Sequence, residues 1–146
     1  MKIVLLESLG ISQELLDSYV KPLKEKGYEF TDFGCNGEAV DYPDIAEKVC
    51  AEVISGRAEK AVLICGTGIG ISMAANKIKG IRAALCSDYF SAKYTRLHND
   101  ANVICFGGRT IGAGLAKELL DVFLTTEFEG GRHAVRVDKI KKLEDK

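Results

Sequence analysis

Several classes of protein are excluded by what the sequence lacks. No apolar run approaches the roughly 18 residues that a membrane-spanning helix needs, so we expect no membrane segment. A single lysine and the short apolar run Ile3–Leu6 are too little for a secretory signal peptide. The 20 basic and 21 acidic residues leave a net charge of −1, which argues against a generally basic nucleic-acid binder. We therefore expect neither a nucleic-acid nor a membrane partner.

The cysteines lack the spacing of a metal site. They are five, an odd number, at Cys35, Cys50, Cys65, Cys86 and Cys105. No Cys-x-x-Cys pair and no cluster of His with Cys occurs, which argues against a zinc site. The simplest interpretation is a set of reduced thiols. The sequence thus predicts a cytoplasmic protein without a bound metal.

Length and hydrophobic pattern predict one α/β domain. The 146 residues correspond to a single domain, 1–146, and a chain of this length buries enough surface for a core. Five short runs alternate with longer amphipathic runs, and continuous apolar runs are typical of parallel strands covered on both faces. The candidate strands are Ile3–Leu6, Tyr28–Phe33, Ala61–Cys65, Ile81–Leu85 and Asn102–Phe106.

Apolar residues at helical spacing lie between these runs. Three stripes fall within residues 15–23, 45–54 and 115–123, with Ser12 as a candidate N-cap of the first, and a last helix is expected at about 133–144. We predict a three-layer α/β/α, Rossmann-like fold with a five-stranded parallel sheet. In such folds the ligand binds beyond the carboxyl ends of the strands, near the point where strand order reverses.

The stretch Cys65-Gly-Thr-Gly-Ile-Gly-Ile-Ser72 follows the third predicted strand directly. Its three alternating glycines leave the backbone bare, so successive N–H groups can bind an anion at a helix N-terminus. The same position favours a thiolate, which makes Cys65 a candidate base or nucleophile. The alternative is a tight strand–helix turn with Cys65 as a small buried apolar residue.

Other glycine-rich motifs do not fit this loop. A dinucleotide fingerprint needs Gly-x-Gly-x-x-Gly, but the sixth position counted from Gly66 is Ile71. A P-loop needs Gly-Lys-Ser/Thr, which is absent. A cysteine phosphatase loop would place Arg six residues after the Cys, where Ile71 stands after Cys65 and Ala92 after Cys86.

Two further clusters carry chemistry. His98, followed by Asn99 and Asp100, lies among polar residues and is able to exchange a proton near neutral pH; the alternative is a histidine that caps a helix C-terminus. Arg132 and Arg136 are four residues apart, so on a helix they share a face and form a phosphate or carboxylate receptor; the alternative is a solvated basic face. Arg109, just after the fifth strand, is another candidate anion ligand.

Together these motifs resemble one enzyme family, that of ribose-5-phosphate isomerase B and galactose-6-phosphate isomerase. The matching elements run over essentially the whole chain, in the order Asp41-Tyr42-Pro43, Cys65-Gly-Thr-Gly-Ile-Gly-Ile-Ser72 with Ala75-Asn76-Lys77, Ser87-Asp88, Arg96-x-His98-Asn99-Asp100-Ala101-Asn102 and Gly130-Gly131-Arg132-His133-x-x-Arg136. The resemblance implies an aldose–ketose isomerase of a small phosphorylated sugar, with neither metal nor organic cofactor. Its expected reaction is conversion of ribose 5-phosphate to ribulose 5-phosphate.

The resemblance also implies a role for each site residue. Cys65 would move a proton between C1 and C2 through a cis-enediolate, and His98 would help to open the sugar ring. The oxygens of the enediolate would be stabilised by Thr67, by Asn99 and by the N–H groups of Gly66, Gly68 and Gly70. Tyr42 would line the sugar site, and the phosphate would be held by Arg109, Arg132 and Arg136.

The first loop departs from the family pattern. The family has Asp-His-Ala-Gly or Asp-Ser-Ala-Gly there, whereas this chain has Glu7-Ser8-Leu9-Gly10. Glu7 and Ser8 then stand where the family's sugar and phosphate contacts lie. This change leaves open an isomerase of another tetrose, pentose or hexose phosphate, or a binding protein that has lost turnover. A weaker alternative is a transferase that uses Cys65 as a nucleophile.

Chain order places two parts of the expected site apart. Cys65 ends the third strand, whereas His98 precedes the fifth strand and should lie at the opposite edge of the sheet. We therefore expect a homodimer, or a tetramer built from it, in which the partner supplies His98 to a composite site. The family resemblance implies the same assembly.

Overall fold

The computed structural model describes residues 3–8, 13–32 and 41–146. Strands and helices alternate along the chain up to the last strand, after which two helices follow. The strands are β1 (Ile3–Ser8), β2 (Glu29–Asp32), β3 (Lys60–Cys65), β4 (Ala83–Leu85) and β5 (Val103–Gly107). The helices are α1 (Gln13–Glu25), α2 (Tyr42–Ile54), α3 (Ile69–Ala75), α4 (Tyr89–Asn99), α5 (Ala113–Thr125) and α6 (Arg132–Leu143).

The strands form one parallel sheet in the order β2-β1-β3-β5-β4. The α/β class with a parallel sheet is therefore confirmed. From β1 the chain moves to one side for β2 and to the other for β3, so strand order reverses between β1 and β3. That reversal is where open α/β sheets bind ligands, and Cys65 is the last residue of β3.

Alternate residues of the central strands enter two separate cores. Val62 and Ile64 face one side of the sheet, where α1, α4 and α5 cover it. Ala61 and Leu63 face the other side, under α2 and α3. Both faces of β3 and β5 are thus dry, which explains why these strands are continuously apolar in the sequence.

Some element bounds differ from the sequence prediction. β4 starts at Ala83 instead of Ile81, because the N–H of Arg82 donates to the side-chain oxygen of Asn102 (2.8 Å) instead of to a strand. The last helix starts at Arg132, one residue before the prediction, and ends at Leu143. The predicted cap Ser12 lies outside the described residues. Within the described ranges, no helix has the length and apolar character needed to cross a membrane.

Candidate active site

The thiol of Cys65 lies at the carboxyl edge of the sheet. Cys65 pairs with Gly107 at the end of β5, and its side chain is partly exposed, unlike those of its buried strand neighbours. The backbone N–H groups of Gly108 and Arg109 donate to the carbonyls of Cys65 and Gly66 (2.8 and 3.1 Å), which joins the loops after β3 and β5.

Gly68 gives the loop its shape. Its φ of +81° lies in the left-handed region, and an added Cβ would come within 2.7 Å of both the Leu85 side chain and the Phe106 backbone. The N–H of Gly68 donates to the sulfur of Cys65 at 3.1 Å. The Gly68 N–H thus faces the thiol, and the role expected for it at an enediolate oxygen stays a prediction.

Thr67, Gly70 and Tyr42 surround the start of α3. The Thr67 hydroxyl oxygen accepts a hydrogen bond from the Ile69 N–H at 3.2 Å, which leaves its own hydrogen available for another acceptor. A Cβ on Gly70 would come within 2.5 Å of the Tyr42 hydroxyl, so the tyrosine lies directly against the helix. Tyr42 opens α2, which brings the second helix to the loop.

Arg109 adds a positive charge beside the same loop. The carbon chain and guanidinium of Arg109 lie 3.7–3.9 Å from where a Cβ of Gly66 would be. A thiol, a hydroxyl and a guanidinium are thereby brought together, and they suit proton transfer on a substrate that carries an anionic group. Glu7 and Ser8 end β1 in register with Leu63 and Ile64 of β3, but their side chains lie outside the described part of the chain.

His98 belongs to a second group of residues, near the C-terminus of α4. The sequence placed it among polar residues, but its ring packs edge-on against Tyr94 (5.0 Å between centroids) and stacks on His133 of α6 (3.9 Å, 9° between planes). Its Nε2 atom lies 3.6 Å from a carboxylate oxygen of Glu129. His98 is thus held by an aromatic ring on its own helix, a ring on α6 and a carboxylate from the preceding loop.

His133 is buried, and its pKa is lowered. Burial is the main cause, followed by the neighbouring His98 and Arg132, so the imidazole is neutral at neutral pH. The nearest ligand atoms of His98, Glu129 and His133 lie within 4.8 Å of one another, a grouping that metal sites share. Two of these three residues, His98 and His133, stack face to face with their ring planes parallel within 9°.

The end of α4 is fixed by two arginines. Asp100 has a φ of +48°, and its carboxylate accepts a hydrogen bond from Arg96 (2.9 Å) and approaches Arg82 (3.5 Å). Arg82 also donates to the carbonyl oxygens of Asn99 and Asp100. This network anchors the segment that carries His98 and Asn99.

Arg132 and Arg136 lie one turn apart on α6, and both are exposed. The Asn99 side chain is exposed as well. Arg132 and Arg136 belong to the helix that carries His133, and Asn99 follows His98 at the end of α4. The second group therefore contains two histidines, a carboxylate, an amide and two guanidinium groups.

The two groups lie at opposite edges of the sheet. Arg82 immediately precedes β4 and contacts Asn99, so the end of α4 lies at the amino edge, whereas Cys65 lies at the carboxyl edge. A cavity of about 380 Å³ follows α4 from Leu85 and Phe90 to His98 and Asn99. The eight residues from Phe90 to His98 correspond to about 12 Å along the helix.

Contacts between distant segments were not visible in the sequence. Glu129 and the stacking of His133 on His98 were missed, although both residues flank the Gly-Gly-Arg segment that the sequence singled out. The packing of Tyr42 on Gly70 was missed too. The sequence offered one signal for the contact between Glu129 and His98. Glu129 lies four residues before His133, in a motif that already carries arginines.

Comparison with known proteins connects this arrangement with sugar-phosphate isomerases. Residues 10–140 match the family model described as Ribose/Galactose Isomerase. Ribose-5-phosphate isomerase B of Escherichia coli is 47% identical over 128 residues, which cover 87% of this chain and 86% of that protein. D-Erythrulose-4-phosphate isomerase of Pectobacterium atrosepticum is 43% identical over 129 residues, which cover 87% of this chain and 85% of that protein.

A solved structure has the same fold. The structure of ribose-5-phosphate isomerase B from Clostridium thermocellum superposes on this chain with a TM-score of 0.90 at 47% identity. The match covers 99% of this chain and 98% of the other. The similarity therefore extends over the fold as well as over the motifs.

Proposed function

The chain belongs to the ribose/galactose isomerase family, and we propose that this sugar-phosphate isomerase converts ribose 5-phosphate to ribulose 5-phosphate through a cis-enediolate. The observation that carries the proposal is the Cys65 thiol, partly exposed at the switch point and hydrogen-bonded by the Gly68 N–H. Cys65 is the base: it takes the proton from C2 of the open-chain aldose and returns it at C1. No metal or organic cofactor takes part in the proposed reaction.

Negative charge that develops on the substrate oxygens needs donors already in place. Thr67 has a free hydroxyl hydrogen, and Gly70 lies in the first turn of α3, where N–H groups have no intrahelical partner. Gly66 contributes its N–H, and Tyr42 lines the sugar site. The Gly68 N–H bonds the Cys65 sulfur, and its donation to an enediolate oxygen stays a prediction.

The second group of residues supplies the remaining steps. His98 opens the sugar ring, and Asn99 binds a substrate oxygen. The phosphate is held by Arg132 and Arg136, with Arg109 at the rim. Charge-assisted hydrogen bonds of this kind contribute about 1.5–3 kcal/mol each.

We further propose that two copies of the chain form composite sites. One protomer carries Cys65 and Arg109, and its partner brings His98, Asn99, Arg132 and Arg136. Support comes from two exposed apolar side chains, Met73 on α3 at 63% and Phe90 on α4 at 66%, because exposed apolar surface is typical of interfaces. An isologous dimer would bury such side chains in both copies and bring opposite sheet edges together.

The first loop and one relative also bear on which sugar phosphate is the substrate. One relative is named D-erythrulose-4-phosphate isomerase, and Glu7 and Ser8 replace the usual residues of the first loop. These two residues are the proposed substrate contacts that would select a sugar of different length. A tetrose phosphate is therefore the second candidate substrate.

The test is a panel of tetrose, pentose and hexose phosphates assayed in deuterium oxide. We expect isomerisation of ribose 5-phosphate together with incorporation of solvent deuterium. Replacement of the base in Cys65→Ala should lower turnover by about 10²–10⁴-fold. Cys50→Ala, which changes a buried thiol on the core side of α2, is the control and should keep turnover per folded molecule.

Other results would favour the alternatives. Thermal stabilisation by sugar phosphates without deuterium incorporation indicates a binding protein. A stable mass adduct on Cys65 after incubation with substrate indicates a nucleophile. Full activity of Cys65→Ala on the true substrate would contradict the assignment of the base.

A further inference from the structure

We propose that Glu129 and His133 are positioning residues, which hold the His98 imidazole in one orientation and one tautomer for ring opening. This inference rests on the proposed function, in which His98 acts on the sugar ring. Neither residue needs to touch the substrate. Both act through the imidazole that they contact.

The carboxylate of Glu129 is placed to select the tautomer. It lies 3.6 Å from Nε2 of His98, and a small side-chain rotation would bring it into hydrogen-bond distance. The backbone N–H of Glu129 donates to the Leu97 carbonyl at 3.0 Å, which fixes the loop to the residue before His98. A carboxylate at Nε2 favours the tautomer with hydrogen on that nitrogen and leaves Nδ1 as the acceptor.

The ring of His133 fixes the plane of His98. The two rings are parallel within 9° at 3.9 Å, and Tyr94 closes the side along α4. His133 is buried and lies on α6, whereas His98 lies on α4, so the stack anchors His98 to both helices. Two stacked cations would repel each other, and His133 therefore serves as the neutral partner when His98 gains a proton.

This arrangement matches the proton balance of ring opening. Nδ1 of His98 takes the proton of the C1 hydroxyl, the bond between C1 and the ring oxygen breaks, and C1 becomes a carbonyl. The same proton then passes to the released ring oxygen, so no net proton is consumed. Glu129 stabilises the imidazolium that exists between the two transfers.

Two readouts separate ring opening from proton transfer at carbon. Ribose 5-phosphate is cyclic and needs ring opening before it isomerises. Ribulose 5-phosphate is open-chain, because its C5 oxygen carries the phosphate and its other hydroxyls cannot close a five-membered ring on C2. Exchange of its C1 hydrogen with deuterium oxide therefore measures the Cys65 step alone.

The experiment compares Glu129→Ala, Glu129→Gln and a matched control, Glu127→Ala. Glu127 is exposed in the same segment and makes no ion pair within the described residues. We expect Glu129→Ala to lower turnover of ribose 5-phosphate about 10- to 100-fold, as loss of a partner that orients a histidine does, while its deuterium exchange stays at the wild-type rate. Glu129→Gln keeps an oxygen for Nε2 and should recover most of the turnover. His133→Phe keeps a ring that can stack on His98, so its turnover should likewise exceed that of His133→Ala.

Several outcomes would overturn the proposal. Equal loss of turnover and exchange in Glu129→Ala would mean that Glu129 does not act through ring opening. Wild-type turnover in Glu129→Ala would mean that the Glu129 carboxylate has no role in positioning His98. If the wild-type protein isomerised only a tetrose phosphate, which has no ring to open, this inference would be overturned but the isomerase activity would stand. If the wild-type protein showed no deuterium exchange at all, both the proposed function and this inference would be refuted.

Discussion

Cys65 differs from the other described cysteines in the burial of its side chain. Burial raises the pKa of Cys50 to about 12 and that of Cys86 to about 11, and Asp88 adds to the effect at Cys86. Deep burial also raises the pKa of Cys105 well above its ordinary value. Cys65 is partly exposed, and its sulfur accepts a backbone N–H. Among these four residues, Cys65 is therefore the one whose sulfur is partly exposed and open to a substrate.

Alkylation under native conditions tests this difference. At pH 8 a thiol with a pKa of about 11 or 12 is ionised to about one part in a thousand or less, so Cys50 and Cys86 should resist iodoacetamide. The buried Cys105 should resist it as well, whereas the partly exposed Cys65 should react. Peptide mapping by mass spectrometry gives the rate at each site, with labelling in urea as the control for accessibility. Labelling of Cys50 or Cys86 as fast as Cys65 would contradict the argument.

Single residues could be predicted from the sequence where one strand end determines their position. Cys65 follows an uninterrupted apolar run and precedes glycines, which suffices to place it at a strand end with a tight turn. Tyr42 and Glu129 could not be placed in this way, because their partners Gly70 and His98 lie on other elements. Such contacts depend on how helices pack, which a local pattern does not contain.

At the scale of an element, the C-terminus of α4 is held by charge instead of by glycine. Asp100 is the only described non-glycine residue with positive φ, at the position after the helix where glycine is common. Its carboxylate compensates by binding Arg96, which is only 7% exposed and also donates to the carbonyls of Ala101 and Thr126. The side chain thus offsets a backbone conformation that other residues avoid.

Substitutions at Asp100 separate these two effects. Asp100→Ala loses the hydrogen bond to Arg96 and keeps the strained φ, so the free energy of unfolding should fall by about 2–3 kcal/mol. Asp100→Gly loses the same bond but relieves the backbone, so its loss should be smaller by about 1 kcal/mol. Equilibrium unfolding in urea measures both values. Equal destabilisation by alanine and glycine would show that φ is not strained there.

Elements with a strong pattern were predicted better than short edge elements. α5 covers the predicted stripe, and the predicted last helix matches α6 within one residue at either end. β4 is shorter than predicted, because Asn102 bonds to the backbone of Gly80 and Arg82 and replaces the strand pairing there. A side chain that competes for backbone groups is not visible in an apolar pattern.

At the scale of the whole molecule, the proposed site is divided between the two edges of one sheet. Chain order alone predicts this division, since a helix that follows a strand returns to the opposite edge. The structure places Asn99 beside Arg82 at the amino edge and Cys65 beside Gly107 at the carboxyl edge. A single protomer thus carries the two halves of the proposed site at opposite edges of its sheet. In the proposed dimer, each half combines with the other half from the partner.

Complementation between inactive variants tests this assembly. Cys65→Ala and His98→Ala should each be nearly inactive alone. In a heterodimer of the two, one composite site carries both substitutions and the other carries neither, so co-expressed and doubly tagged heterodimers should recover about half of the wild-type turnover. Separately purified variants mixed without subunit exchange are the control and should stay inactive. If both residues acted within one protomer, every site in the heterodimer would carry one substitution, and no recovery would occur.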